Sequence, residues 1–149
     1  MAHAIAHRIL AILTLSAVAT LAPARAETAG VVVSIAKRAA LTSQGVVVLD
    51  VRVTCGPFDG VEEFQEALAG AAQPRTGAEA EGGIDGYVTC DGVERTYTAH
   101  LSSFTETSFK HGPGVASASV FVCTLVGDEQ ACYHGGQGRR VILTGRRAP

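Results

Sequence analysis

The chain has 149 residues, 47% of them hydrophobic and 17% charged, with 17 glycines, 4 cysteines, no tryptophan and a formal net charge of −2. That size and balance fit one domain, and they exclude a disordered charged tail, a coiled coil and a nucleic-acid binder driven by overall positive charge. Residues 1–26 read as an export signal. Arg8 closes a short positively charged start, Ile9–Ala22 is uncharged, and Pro23-Ala24-Arg25-Ala26 offers small residues for cleavage after Ala26, with Ala24 as the alternative. The apolar run is shorter than the roughly 18–20 residues that span a bilayer. No cysteine lies at the cleavage site and the end, VILTGRRAP, is not a hydrophobic tail, so no transmembrane or lipid anchor is expected after signal removal. The secreted domain is expected over 27–149, with 10 basic and 14 acidic residues and a charge of −4.

Beyond the signal the leading pattern has period two. Val31–Ile35 predicts a first strand, and Leu41–Gly45 a turn. Val46–Cys55 predicts a half-buried strand with Val47, Leu49, Val51, Val53 and Cys55 on one face. Asp59–Gln73 carries Val61, Phe64, Leu68 and Ala71 at helical spacing behind a capping box at Asp59 and Glu62, so local sequence predicts a short helix near 59–72; an all-β context could override it. Gln73–Gly83 has no periodicity and reads as the longest loop. Cys90-Asp91-Gly92-Val93 signals a tight hairpin turn joining Ile84–Cys90 to Val93–Leu101, with Tyr97 as the large aromatic of the core. Val115–Cys123 predicts a strand with Ala116, Ala118, Val120 and Val122 inward. Gly135-Gly136-Gln137-Gly138 reads as a flexible loop, and Arg140–Thr144 as a final short strand.

Four cysteines without a C-x-x-C pair in an exported chain predict two disulfides rather than a zinc site. Cys55 with Cys90 and Cys123 with Cys132 is the pairing that the strand ends suggest, out of three that four cysteines allow. The Val-rich strand ending in Thr54-Cys55, the Cys90-Asp91-Gly92 turn, Tyr97 and the small-residue strand after Phe109–Gly114 resemble small secreted immunoglobulin-like proteins of high-GC bacteria. The resemblance covers about Val31–Val122 and implies an immunoglobulin-like antiparallel β-sandwich and export, and it lends no catalytic residue. Neocarzinostatin-type apoproteins, secreted two-disulfide sandwiches with a small chromophore, are a more distant comparison whose cysteine spacing differs.

No G-x-S-x-G elbow, H-E-x-x-H pair or phosphate-binding loop is present. His100, His111 and His134 are scattered, so a small hydrolase or metal protein built on them ranks last, and neither catalytic residues nor a cofactor or metal is expected. Glu62, Glu63, Glu66, Glu79 and Glu81 read as a solvated acidic face rather than a glycosidase pair. Charge is unevenly spread: Asp50–Glu94 holds 10 acids against Arg52 and Arg75, whereas Arg139, Arg140, Arg146 and Arg147 crowd the end. Such a basic end can adhere to anionic wall polymers, at about 1 kcal/mol per Arg near an anionic surface. The expected function is an exported, non-enzymatic binding or structural module that contacts an anionic cell-envelope polymer or another secreted protein through loops Gly56–Gly60, Gln73–Gly83 and Thr124–Ala131. The alternative is a secreted enzyme inhibitor or small-ligand carrier using the Cys123–Cys132 hairpin.

Overall fold

A computed structural model describes residues 30–145; the expected signal and both Arg146 and Arg147 lie outside them. The strands are β1 (Gly30–Ile35), β2 (Arg38–Leu41), β3 (Val47–Gly56), β4 (Val61–Gln73), β5 (Ala78–Gly83), β6 (Arg95–Ser103), β7 (Gly112–Val126) and β8 (Glu129–Gly145). Hydrogen bonding runs β3–β2–β8–β7–β4–β5–β6 and returns to β3, so seven strands form one closed barrel, with β1 alongside β3. All neighbours are antiparallel except β2 and β8, which are parallel from Arg38 opposite Ile142 to Leu41 opposite Gly145. This replaces the expected immunoglobulin-like antiparallel sandwich with a mixed barrel. Period-two patterning states which side chains turn inward, but it carries no information on which edges meet.

The first two strands are one stretch of chain handed from β3 to β8. Gly30–Ile35 pairs with Val51–Gly56, and Ala40–Leu41 with Val47–Val48 further along the same strand. Where the chain changes partner, the Ile35 N–H donates to Gln137 Oε1 at 2.7 Å and its carbonyl accepts from Arg139 Nη1 at 2.7 Å. Two side chains of β8 thus satisfy backbone groups that no ladder reaches.

The interior matches the alternation read along β3 and β7: Val47, Leu49, Val51, Val53 and Cys55 are buried, as are Ala116, Ala118, Val120 and Val122. Ala69, Ala71, Ala78 and Ala80 fill the β4–β5 side with small side chains, against larger aliphatics on β3. Phe109 is the buried aromatic. Tyr97, expected there, is half-buried against the core, and its hydroxyl accepts from the Thr89 N–H at 2.9 Å.

No helix forms near 59–72. These residues are the strand β4, laddered to β7 from Val61 to Ala72 and to β5 from Leu68 to Gln73. A bulge between Glu62 and Phe64 shifts the register, so that Val61, Phe64 and Leu68 all lie on the outer face. From Val61 to Leu68 the spacing of three and then four that suggested a helix is what a once-bulged strand produces, whereas Ala71, the fourth position of that pattern, turns inward. The longest loop shrinks accordingly to residues 74–77, because Ala78–Gly83 is β5.

The expected hairpin before β6 is also absent. Only Ile84 bridges to Ala99, and residues 85–94 form no strand. Instead the Gln65 side-chain amide takes the place of a strand neighbour: its Oε1 accepts from the Val88 N–H and its Nε2 donates to the Val88 carbonyl, both at 2.8 Å. The Cys55–Cys90 disulfide pins this segment to the end of β3, and the Gly92 N–H donates to the Cys55 carbonyl. Asp91-Gly92 therefore turns the chain at a disulfide rather than between two strands. The second disulfide joins Cys123 to Cys132, directly opposite one another in β7 and β8. The final strand is long, not short, and it includes the glycines expected to form a loop.

Two of the barrel's close approaches require glycine. A Cβ at Gly135 would overlap the Val31 carbonyl where β1 packs on β8, and one at Gly82 would overlap the His100 carbonyl at the narrow β5–β6 seam. Gly135→Ala and Gly82→Ala should each lower unfolding free energy by about 1–3 kcal/mol in urea titrations. Gly138→Ala, whose added Cβ would lie no closer than 4.0 Å to its neighbour, should be nearly neutral.

The disulfides close loops of sequence separation 35 and 9. In the chain-entropy account, Cys55→Ala/Cys90→Ala should cost about 4 kcal/mol and Cys123→Ala/Cys132→Ala about 2.5 kcal/mol. Equilibrium unfolding of the two double variants checks that order.

Candidate ligand groove

On the outer face of the wall formed by β5, β4, β7 and β8, register places small residues side by side. Gly70 lies opposite Ser117, which lies opposite Gly138; in the next row Ala72, Val115 and Arg140 are in line. On the other flank Gly70 faces Glu81 and Ala72 faces Glu79. With almost no side-chain volume over β4 and at Gly138, the surface sinks into a groove of about 620 Å³. A smaller extension of about 250 Å³ reaches Leu68 and Ser119 and shares Gly70, Glu81 and Ser117 with it. The main volume lies within the roughly 300–1,000 Å³ typical of small-molecule sites.

Phe104 forms a wall of the groove and is 59% exposed. The backbone holds it there: its N–H donates to the Glu79 carbonyl at 3.2 Å, and the Glu79 N–H donates to Thr105 Oγ1 at 3.2 Å. Ser103 Oγ adds a bond to the same Glu79 carbonyl at 3.0 Å. The far end of β4 is fixed by Gln73, which is fully buried; its side chain accepts from the Lys110 N–H at 2.8 Å and donates to the Lys110 carbonyl at 2.9 Å. The floor is therefore ladder, and the aromatic wall is tied to it by hydrogen bonds.

The four arginines of the expected anionic-polymer contact do not meet as one patch among the described residues. Arg139 and Arg140 are consecutive on β8 and so project to opposite faces. Arg139 is engaged by the Ile35 carbonyl, and Arg140 stands at the groove. Arg146 and Arg147 lie outside the described residues.

The histidines are on separate elements. His100 Nδ1 is 2.7 Å from Asp85 Oδ2 on an exposed part of β6, His111 precedes β7, and His134 lies opposite Phe121 on β8. No three His, Cys, Asp or Glu side chains gather as a metal site among the described residues. Of the five glutamates, Glu79 and Glu81 flank the groove. Glu62 accepts from the Tyr87 hydroxyl, which raises the pKa of that phenol, and Glu63 accepts from Gln130 Nε2 at 2.8 Å.

Of the expected contact loops, Gly56–Gly60 stacks Phe58 on Tyr133 with centroids 4.0 Å apart. Thr124–Ala131 is mostly ladder around a turn at residues 127–128. The groove residues themselves escaped sequence reading. Their signal was present, as small residues at alternate positions 70 and 72, 117 and 119, and 136 and 138, but it becomes legible only once 61–73 and 129–145 are known to be strands.

No protein-family model, curated protein or solved structure matches this chain. No helix among the described residues is long and apolar enough to cross a membrane.

One ion pair makes a pH signature. Arg95 binds both carboxylate oxygens of Asp91, with Nη2 to Oδ2 at 2.7 Å, and the Val93 N–H donates to the same carboxylate. The Arg95 hydrogen bonds, then that of Val93, lower the Asp91 pKa to about 2. A depressed folded-state pKa contributes stability above the unfolded value near 3.8, and that contribution disappears as pH falls towards about 2. Asp91→Asn should therefore flatten part of the pH dependence of Tm within that window and leave it unchanged above. Carbon-detected NMR titration of Asp91 checks the midpoint directly.

Proposed function

We propose that the protein is an exported, non-enzymatic binding module that carries a small, largely apolar ligand in the groove over β4, β7 and β8. The observation that carries this reading is the groove itself, a preformed depression floored by Gly70, Ala72, Ser117 and Gly138 and walled by an exposed Phe104. The floor can approach a flat ligand closely, and burying apolar ligand surface against Phe104 and Val115 provides the affinity. The Ser117 hydroxyl and the charges of Glu79, Glu81 and Arg140 orient it at the rim. Export is supported by the signal-like residues 1–26 and by two disulfides, which persist in oxidising compartments.

The test is titration of the folded, oxidised protein with a neutral phenylnaphthylamine dye, whose emission rises in an apolar site. Saturable binding at one site is expected. Gly138→Leu, which places a side chain over open floor, should weaken it at least tenfold with little loss of stability, and Phe104→Ser should weaken it several-fold. Unchanged dye binding in Gly138→Leu would remove the groove as the site.

A further inference from the structure

Towards the start of β4 the same outer face changes character. Val61, Phe64 and Leu68 project from β4, and Leu125 and Phe121 from β7, with Val61 opposite Leu125 and Phe64 opposite Cys123. Phe64 meets Phe121 edge to face, with centroids 6.1 Å apart. Val61 is 75% exposed, Phe64 49% and Leu68 48%, so these large apolar groups stand together in water beside the Cys123–Cys132 staple. A clustered apolar patch with a polar rim marks a contact surface, unlike single exposed leucines.

The rim carries one sign of charge. On this part of the outer face Glu66 lies opposite Phe121 and the bulged Glu63 reaches Gln130, with no Lys or Arg in residues 61–68, 119–126 or 129–136. Glu62, opposite the buried Thr124, and Glu129, opposite Val126, belong to the rows that alternate away from it. Asp59 and Asp128 add carboxylates from the adjoining turns. Glu66 stands between Phe64 and Leu68 along β4, opposite Phe121. The first exposed cation further along β8 is Arg140, about 20 Å beyond His134 at 3.3 Å per residue. Arg95, on β6, is neutralised by Asp91.

We infer that this acid-rimmed apolar patch docks a cationic amphipathic segment of another polypeptide, one that presents aliphatic or aromatic side chains flanked by Lys or Arg. Apolar burial supplies the attraction, and the carboxylates steer the encounter and select the sign of the partner. A second copy of the chain would bring like carboxylates face to face, and an anionic membrane or wall polymer would be repelled by them. The patch meets the groove's extension at Leu68, whereas Val61, Phe64, Phe121 and Leu125 lie outside it, so this docking does not require a ligand in the groove.

Fluorescence anisotropy with two labelled amphipathic peptides of equal length, one of Lys and Leu and one of Glu and Leu, tests the inference on the oxidised protein. The Lys/Leu peptide should bind at least tenfold more tightly at low salt and weaken as salt screens the rim. Glu63→Gln/Glu66→Gln should reduce that binding at least fivefold and Phe64→Ser/Leu68→Ser at least tenfold. Glu106→Gln, in the β6–β7 connection, should leave it unchanged. Unfolding midpoints near that of the parent confirm that each variant is folded, and the charge variant tests the rim independently of the apolar one. Equal affinity for both peptides, or undiminished binding after loss of Phe64 and Leu68, overturns the inference. So does a concentration-dependent dimer that Phe64→Ser/Leu68→Ser dissolves, which would assign the face to a second copy.

Discussion

The ring of strands closes where Arg38–Leu41 lies parallel to Ile142–Gly145, and this pairing of the two ends of the described chain underlies the rest of the architecture. Until it forms, β8 is an edge beyond β7 and the early strands belong only to β3. Its parallel sense follows from the path of the chain: β1 and β2 run antiparallel to β3, and β2 leaves β3 for β8 without reversing. The transfer leaves backbone groups of Ile35 without a ladder, and the side chains of Gln137 and Arg139 complete them. It also brings β1 onto β8 so closely that only glycine fits at position 135. Pairings of such long sequence separation raise the contact order of the fold, which favours slow folding.

Closure also sets what the outer face can offer. A barrel wall has a packed inner side and a free outer side, and here the inner side of β4 and β5 is alanine where β3 contributes larger aliphatics. On the outer side the same wall divides into two regions. Small residues at Gly70, Ala72, Ser117 and Gly138 leave a groove, whereas the bulge beyond Glu62 collects Val61, Phe64 and Leu68 into a raised apolar patch. The ladder continues beneath both, so the two surfaces have a rigid support. Their chemistry differs because the groove has charges of both signs at its rim and the patch has carboxylates alone.

The arginine-rich end shows why charge counts do not translate into surfaces. Arg139 and Arg140 are adjacent in sequence, and on a strand adjacency means opposite faces. One completes the Ile35 backbone and the other stands at the groove. The acidic middle, by contrast, does become a surface feature. Glu66 lies opposite Phe121 on the outer face and the bulged Glu63 spans to Gln130 across β7, while Glu62 turns towards Tyr87.

The sequence by itself determined the all-β class, the inward faces of β3 and β7 and the cysteines that pair. Alternation is local, marking a half-buried strand within a few residues, and so is the Cys123–Cys132 pair, nine residues apart, which leaves Cys55 and Cys90 to each other. Tertiary structure alone decided that 61–73 is a bulged strand, because the spacing of Val61, Phe64 and Leu68 satisfies a helix and a bulged strand equally, and only ladders to β5 and β7 choose between them. It alone decided that residues 85–94 form no strand against β6 and that Val88 pairs instead with the Gln65 side chain, and that the strands form a barrel instead of two sheets. Strand partners are chosen by backbone hydrogen bonds that every residue type except proline can make, so side-chain order fixes which way a strand faces and leaves its neighbours to the fold as a whole.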